Sequence, residues 1–465
     1  MQYERSRWRC VRIAIVVVAW AAISHVATAE GPRSGADSRT AIQQLSRLGE
    51  PDGPNALCGG EPCDAVIRGL FHFFDRSPEG LEANGRSCGD CHMVTDRFQL
   101  SPASAELRFQ ILQWRLQFDP DADDPLFRPI DADDFRTNGE DASDFSNLRQ
   151  NGLVRITFDL PPNVKLIDPA TNQPSSETFV DIWRATPTVN DVKLTGPDGL
   201  NPWPRDPNPS GGYQLDARVA TLQEQALGAL THHAQVQGPP SQQFLDDLHS
   251  FQRVLFTNSR VRALSEAIDA GITPLPDPDP PLNTLEQEGK VVFIRACAQC
   301  HGGPGQSLGI APVIRYHGIM SQCPRPVDTV TPPRFAFTPC PPRLARNART
   351  YETTLANNTK VRLTSSDPGR GLLTGFAEAP AQGDFLKFDV PGLRGIGKTA
   401  PYFHNNSADT LDEVVHHYIE LFKRAQVTAP PGAPPAPFTT TDGIHFDRIP
   451  LPEEVPALLA YLKKL

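Results

Sequence analysis

Two pentapeptides in this chain carry residue types and a spacing that can do chemistry: Cys88-Gly89-Asp90-Cys91-His92 and Cys297-Ala298-Gln299-Cys300-His301. Two cysteines three positions apart lie on one side of a helical turn. Both thiols then reach the two vinyl groups of a single haem, and the adjacent histidine is placed to bind the iron. A thioredoxin-like dithiol does not require the histidine, and a zinc site would gather four ligands. The spacing therefore predicts two covalently attached haem c groups, held by Cys88, Cys91 and His92 and by Cys297, Cys300 and His301.

The group opposite each histidine decides what such an iron does. Two strong protein ligands make an electron carrier, whereas an open or weakly held position binds peroxide or oxygen. For the first centre no histidine occurs between His92 and His232, and Met93 is too close to the proximal ligand to reach the far face. His232, His233 or a residue from the other half of the chain remain as candidates, and an open position is the economical reading. For the second centre only Met320 follows the motif, so methionine ligation is disfavoured. A helix over Leu411 to Ala425 offers more. At about 100° per residue, Leu411, Val414, Val415, Tyr418 and Phe422 share one face. Tyr418 lies near its centre, His417 at the flank and His416 opposite. Tyrosine is an accepted haem ligand; the alternative is a core tyrosine whose hydroxyl is satisfied elsewhere.

The elements that position these residues can be read in outline. The chain has 465 residues, a formal charge of −10 and 47 prolines. That excludes a basic nucleic-acid footprint and predicts much loop. Arg5, Arg7, Arg9 and Arg12, the apolar run Ile13 to Ile23 and Ala27-Thr28-Ala29 read as a secretory signal over 1–29, cleaved after about Ala29. The mature protein is then periplasmic, without stable membrane insertion. The predicted fold is mainly α, with two cytochrome c-like haem domains at 30–271 and 283–465. A proline-rich linker occupies 272–282, and a long loop-rich insert at about 93–182 lies in the first domain. Capping boxes at Thr221/Glu224 and Thr410/Glu413 open helices, Ser241 caps another, and Leu285 to Cys297 delivers the second motif. Leu153 to Leu160 is the one strand signal. Pro430 to Pro437 reads as a surface loop. The insert's aspartates (Asp119, Asp121, Asp123, Asp124, Asp131, Asp133 and Asp134) lack the Gly and terminal Glu of a calcium loop and read as a solvated acidic surface. The remaining cysteines pair as Cys58–Cys63 and Cys323–Cys340 in an oxidising compartment.

The string from Val390 to Leu411, containing Pro401-Tyr402-Phe403-His404, resembles the bacterial di-haem cytochrome c peroxidase family, which includes the MauG-like enzymes. Arg184 to Asn190 and Asp216 to Gly228 resemble it too, so the likeness covers most of the mature chain except the insert. It implies an N-terminal haem as the peroxide site and a C-terminal haem as the electron relay. The family's second-haem ligand, fourteen residues after the motif histidine His404, falls on Tyr418, the MauG-like choice. The family's catalytic Gln matches Gln225. Its distal Glu falls on Gln235, which cannot act as a carboxylate, leaving His232 or His233 as substitutes. Its inter-haem Trp falls on Leu215. Its calcium site is matched at Thr399 and Pro401, but Ala185 stands where the family has Asn.

The resemblance implies an enzyme that takes hydrogen peroxide at the first haem and draws electrons through the second. The electrons would come from a small electron-donor protein or from a protein substrate. A plain di-haem electron carrier and an oxygenase acting on an organic substrate are the competing readings.

Overall fold

The computed structural model describes residues 57–128, 145–196, 212–301, 342–375, 388–427, 438–439, 445–446 and 450–465. The signal segment, Met320, the Cys323–Cys340 pair and the Pro430 to Pro437 loop lie outside them. The longer helices are α1 (Cys63–Phe74), α2 (Pro102–Arg115), α3 (Leu222–His232), α4 (Gln242–Arg253), α5 (Thr284–Ala296), α6 (Leu411–Val427) and α7 (Val455–Lys464). The main strands are β1 (Leu153–Asp159), β2 (Val164–Ile167), β3 (Phe179–Ala185), β4 (Arg349–Thr354) and β5 (Lys360–Ser365). Among the described residues the fold is mainly α, in two halves that each hold one Cys-x-x-Cys-His motif.

Each half is organised by one helix crossing. In the first, α1 packs on α4. A Cβ added at Gly69 would stand 1.9 Å from the Asp247 carbonyl oxygen and 2.7 Å from the Cβ of Phe251. In the second, α5 packs on α7, and a Cβ at Gly289 would stand 1.9 Å from the Ala457 carbonyl oxygen and 2.9 Å from the Cβ of Tyr461. A hydrogen side chain on one helix lets the other's backbone come within contact. The aromatic one turn further along then fills the space beside it. Phe251 and Tyr461 are both buried in the cores so formed.

Local chemistry explains where the helices start. Thr221 accepts from Glu224 N while Glu224 reaches back to the cap, and Thr410 and Glu413 do the same. Ser241 Oγ accepts from Phe244 N at 3.2 Å, and Asn283 and Glu286 form a third capping box. These reciprocal bonds satisfy amides that have no partner inside the helix.

The insert is more ordered than its composition suggests. It holds α2 and a β1–β3 antiparallel pair running Leu153↔Ala185 to Asp159↔Phe179. Its short strand β2 pairs with β4, which pairs with β5, so a strand of the insert completes a hairpin contributed by the second half. Several of its charges are paired. Arg108 binds Asp90 and Asp124, and Arg149 binds Glu106 at 2.7 Å.

Buried polar bonds tie the halves together. Arg184, on β3, bonds Asp367 at 2.6 Å and Asp216 at 2.5 Å, with all three side chains buried. Removing Arg184 would leave the buried Asp367 without its cation, a cost of roughly 3–5 kcal/mol. Asn406 Nδ2 donates to Asn151 O at 2.8 Å, and Ala185 N donates to His404 O at 2.7 Å. Cys58 and Cys63 form the expected disulfide. Among the described residues no helix is long and apolar enough to cross a membrane.

Candidate haem centres

The first motif is a single helical turn, Cys88–Cys91, capped by Ser87, whose backbone N–H donates to Asp90 Oδ2 at 2.9 Å. Asp90 is buried, and Arg76 and Arg108 hold its carboxyl below the usual range against the opposing effect of burial. This network fixes the turn that presents both thiols. Cys88 and Cys91 form no disulfide, and burial pushes the Cys88 thiol up to about 12, unlike the thiolate of a redox dithiol.

His92 Nδ1 stands 2.9 Å from the Phe98 carbonyl, and the Pro187 carbonyl also faces the ring. A carbonyl at Nδ1 places the proton there and leaves Nε2 as the coordinating atom. Burial pushes the ring's pKa down, which favours the neutral, ligating form. His301, buried at the end of the second motif, repeats this: its Nδ1 stands 3.1 Å from the Pro391 carbonyl. Two thiols on one turn and a histidine oriented by a carbonyl are what a covalent haem requires. The first centre fits on all these counts, and the second fits at Cys297 and His301. The Cys300 side chain lies outside the described residues.

The far sides differ. Tyr418, on α6, faces His301 with ring centroids 6.4 Å apart and planes at 90°. His417, on the same helix, is buried against Phe403, and His416 is exposed. At the first centre a cavity of ≈ 120 Å³ is walled by Cys88, Cys91, His92, Gln225, Ala229 and His233. Gln225 and His233 therefore come together beside His92. His232 and Gln235 do not: both are exposed and line neither cavity. Helix α3 ends at His232 and Gln235 turns away with φ +52°, so counting along the chain does not carry Gln235 to the cavity.

An internal repeat explains the asymmetry. Tyr213 bridges Val219, and Tyr402 bridges Ala408. The residues one and four beyond each tyrosine have positive φ: Gln214 and Ala217, then Phe403 and Asn406. The capping boxes at Thr221 and Thr410 follow in step. Sixteen positions beyond the tyrosines, Ala229 takes the place of Tyr418. In the same register Leu215 matches His404. The prolines facing the two proximal histidines match as well. Four residues after Pro187 and Pro391, Asp191 and Gly395 are both left-handed, at φ +63° and +79°. Ala229 was not singled out from the sequence. The spacing Tyr-x7-Thr-Leu-x-Glu, present in both halves, was the signal that could have found it.

A second cavity, ≈ 350 Å³, lies between the centres and is lined by both His92 and Tyr418. Thr399, Pro401 and His404 also line it. Thr399 Oγ1 donates to Ile396 O at 3.3 Å, and Gln99 Nε2 donates to Ala400 O at 3.4 Å. Among the described residues no cluster of three or more His, Cys, Asp or Glu could hold a metal ion. Burial pushes the His404 ring down to about 4 and the Asp389 carboxyl up to about 7. Asp191, also on this cavity, is raised to about 6 by burial, against hydrogen bonds from Thr257.

No protein-family model matches the chain, and no curated protein does. Among solved structures it is similar to a MauG-like protein associated with microbial copper homeostasis, with 17% identity and a TM-score of 0.41 over 86% of this chain and 88% of that one. It is also similar to the dihaem peroxidase BthA from Burkholderia thailandensis, with 15% identity and a TM-score of 0.37 over 90% and 89%. A hydrazine synthase from Kuenenia stuttgartiensis gives 14% identity and a TM-score of 0.36 over 94% and 96%. At such distances these likenesses say nothing about activity.

Proposed function

We propose that the chain is an exported di-haem c-type oxidoreductase of the peroxidase kind, with its peroxide site at the first centre and its electron relay at the second. The observation that carries this is the exchange at one repeat position: Tyr418 stands opposite His301, and Ala229 takes its place beside His92. Cys88, Cys91 and His92 hold the first haem; Cys297, Cys300, His301 and Tyr418 hold the second. Haem iron supplies the redox centre at which a peroxide O–O bond is reduced.

The chain's own residues do the rest. The Phe98 and Pro391 carbonyls orient the proximal histidines. Gln225 donates a hydrogen bond to a ligand in the first cavity. His233, which lines that cavity with His72 and Asp75, is of these the nearest along the chain to Gln225 that can accept and return a proton, in place of the carboxylate that Gln235 cannot supply. The small side chain of Ala229 on that cavity offers no donor to a haem that Cys88, Cys91 and His92 would hold. The second centre would be the entry point for electrons from a small donor protein or a protein substrate. The Cys58–Cys63 disulfide suits an oxidising compartment such as the periplasm. Calcium at Thr399 and Pro401 would have to rest on backbone carbonyls. Against a plain electron carrier stands the lack of any protein ligand at position 229.

The ferric holoprotein should show one high-spin and one low-spin haem and react with hydrogen peroxide without prior reduction. A wholly low-spin spectrum, indifferent to peroxide, would overturn the proposal in favour of an electron carrier.

A further inference from the structure

Helix α2 turns two large aromatic side chains towards solvent. Its inward face is set by Ala105 and Leu112, both buried in a cluster against which Cys91 and Met93 pack. At about 100° per residue, Trp114 stands about 200° from Leu112, on the opposite side of the helix. Beyond Arg115 the chain continues in a tight turn, where Phe118 N donates to Arg115 O at 3.0 Å. That turn brings the Phe118 ring edge-on to Trp114, with centroids 5.4 Å apart and planes at 63°. Phe118 is 74% exposed, the most of any large hydrophobic side chain among the described residues, and Trp114 is 61% exposed. The pair leaves on the order of 250 Å² of aromatic surface in water. Tryptophan is among the side chains most enriched at the energetic centres of interfaces.

The surroundings carry one dominant sign of charge. Asp119 and Asp121, on the loop that follows, are exposed, and Asp123 and Asp124 are held by Arg128 and Arg108. Arg115 turns its guanidinium to the Asp123 carbonyl at 3.2 Å. Residues 101–144 have eleven acidic and four basic side chains, so this stretch supplies seven of the chain's ten net negative charges. We infer that Trp114 and Phe118, with Asp119 and Asp121 beside them, dock a partner protein whose contacting face carries lysine and arginine around an apolar centre. The inference does not depend on the di-haem reading.

Charge selects this occupant over the others. A cationic side chain is attracted both by the aromatic faces and by the carboxylates next to them, and the longer-range field speeds encounter. A second copy of this chain would bring two acidic loops together. So small an aromatic centre also suits a transient complex better than a stable dimer, which needs roughly 800 Å² per partner. The chain's own residues 129–144 have six acidic side chains and one basic, the same sign as the loop they would have to cover. A nucleic acid or an anionic membrane has that sign too. The position on the molecule is defined as well. Arg108, on α2, donates to Asp90 O at 2.7 Å and to Asp90 Oδ1 at 3.0 Å, and Cys91 packs against the cluster that holds Leu112. A protein docked on Trp114 therefore stands over the first attachment turn with only the thickness of α2, about 10 Å, between them.

The test uses the full chain and a small lysine-rich c-type cytochrome as the probe, titrated by calorimetry at low and at moderate salt. Trp114→Ala/Phe118→Ala and Asp119→Asn/Asp121→Asn are compared with wild type. Val291→Ala/Ile294→Ala, on the exposed face of α5, serves as the control patch. All four changed aromatic and acidic side chains are exposed, so the variants should melt with wild type. The aromatic variant should bind the probe at least about tenfold more weakly. The acidic variant should lose about threefold at low salt and show a shallower salt dependence. The control should match wild type, and acetylating the probe's lysines should abolish binding. No binding by wild type at low salt, or an aromatic variant that binds like wild type or like the control, would overturn the inference. Two further results would overturn it in favour of another occupant. A wild-type dimer that the aromatic variant disperses in sedimentation would assign the face to a second copy. Replacing 129–144 by a Gly-Ser linker of equal length and gaining tenfold in affinity would assign it to the chain's own segment.

Discussion

The two halves of the molecule use one plan and differ where it matters. Both cross a glycine-bearing helix over an aromatic-bearing one, both fix a proximal histidine with a carbonyl, and both carry the tyrosine-led repeat. They differ at Leu215 and His404 and at Asp191 and Gly395, and also at the position where the second half has Tyr418 and the first has Ala229. On the proposed reading, reactivity would be set less by the scaffold than by one side chain withheld, because an iron binds a peroxide only where no protein ligand is supplied.

The largest expected effect tests whether the halves are independent haem carriers. A Cys88→Ala/Cys91→Ala double variant should lose one haem completely and keep the other, read by haem staining after denaturing electrophoresis; two retained haems would end the comparison. Next comes the exchanged position. Tyr418→Phe should turn the low-spin haem high-spin and raise its potential, since a hard anionic donor that favours the ferric state is lost. Ala229→Tyr should suppress the high-spin signal and the peroxide reaction together, and an unaltered spectrum would show that α3 does not face the first iron as α6 faces the second.

Within the first centre, His233→Gln should slow the reaction with peroxide by roughly 10²–10⁴-fold, whereas His232→Gln and Gln235→Ala should leave it near wild type in stopped-flow measurements. Equal losses at His232 and His233 would deny that cavity lining identifies the proton carrier. Gly69→Val and Gly289→Val should each destabilise the chain by at least ~1–3 kcal/mol in denaturant titrations, because the closed crossings have no room for a side chain.

The smallest effect concerns Asp191, whose repeat partner is Gly395. Its folded pKa of about 6 lies above the ordinary carboxylate value of 3.8, so between these pH values the folded state holds more protons than the unfolded one. Stability then falls as pH rises through that window. Asp191→Asn should lose less Tm than wild type between pH 4 and 6, and an equal loss would contradict the shift.

How much of this the sequence disclosed depends on the range of the interactions. Helix starts at Leu222, Gln242, Thr284 and Leu411 were legible to within a residue because capping is settled by side chains three positions apart. The Cys58–Cys63 pair is equally local. The β2–β4–β5 sheet was not legible: β2 has four residues, and its partner lies far along the chain, so neither alternation nor a turn advertises the pairing. Ala229 was missed because its side chain carries no chemistry of its own, and only the repeated Tyr-x7-Thr-Leu-x-Glu spacing locates it. Gln235 was chosen by counting from a family pattern, and the end of α3 just before it shows why counting is not orientation.

That sheet has a consequence for how the protein is made. The hydrogen-bonding edge of β2 is closed by β4, a strand whose residues are synthesised long after the first haem motif. Until then the insert carries an unpaired edge. The first attachment turn, built from local bonds around Ser87 and Asp90, can form before that edge is covered. The topology therefore sets an order: the Cys88–Cys91 turn can form before the insert is closed, and a chain stopped before residue 349 would keep that turn while exposing a sheet edge to its neighbours.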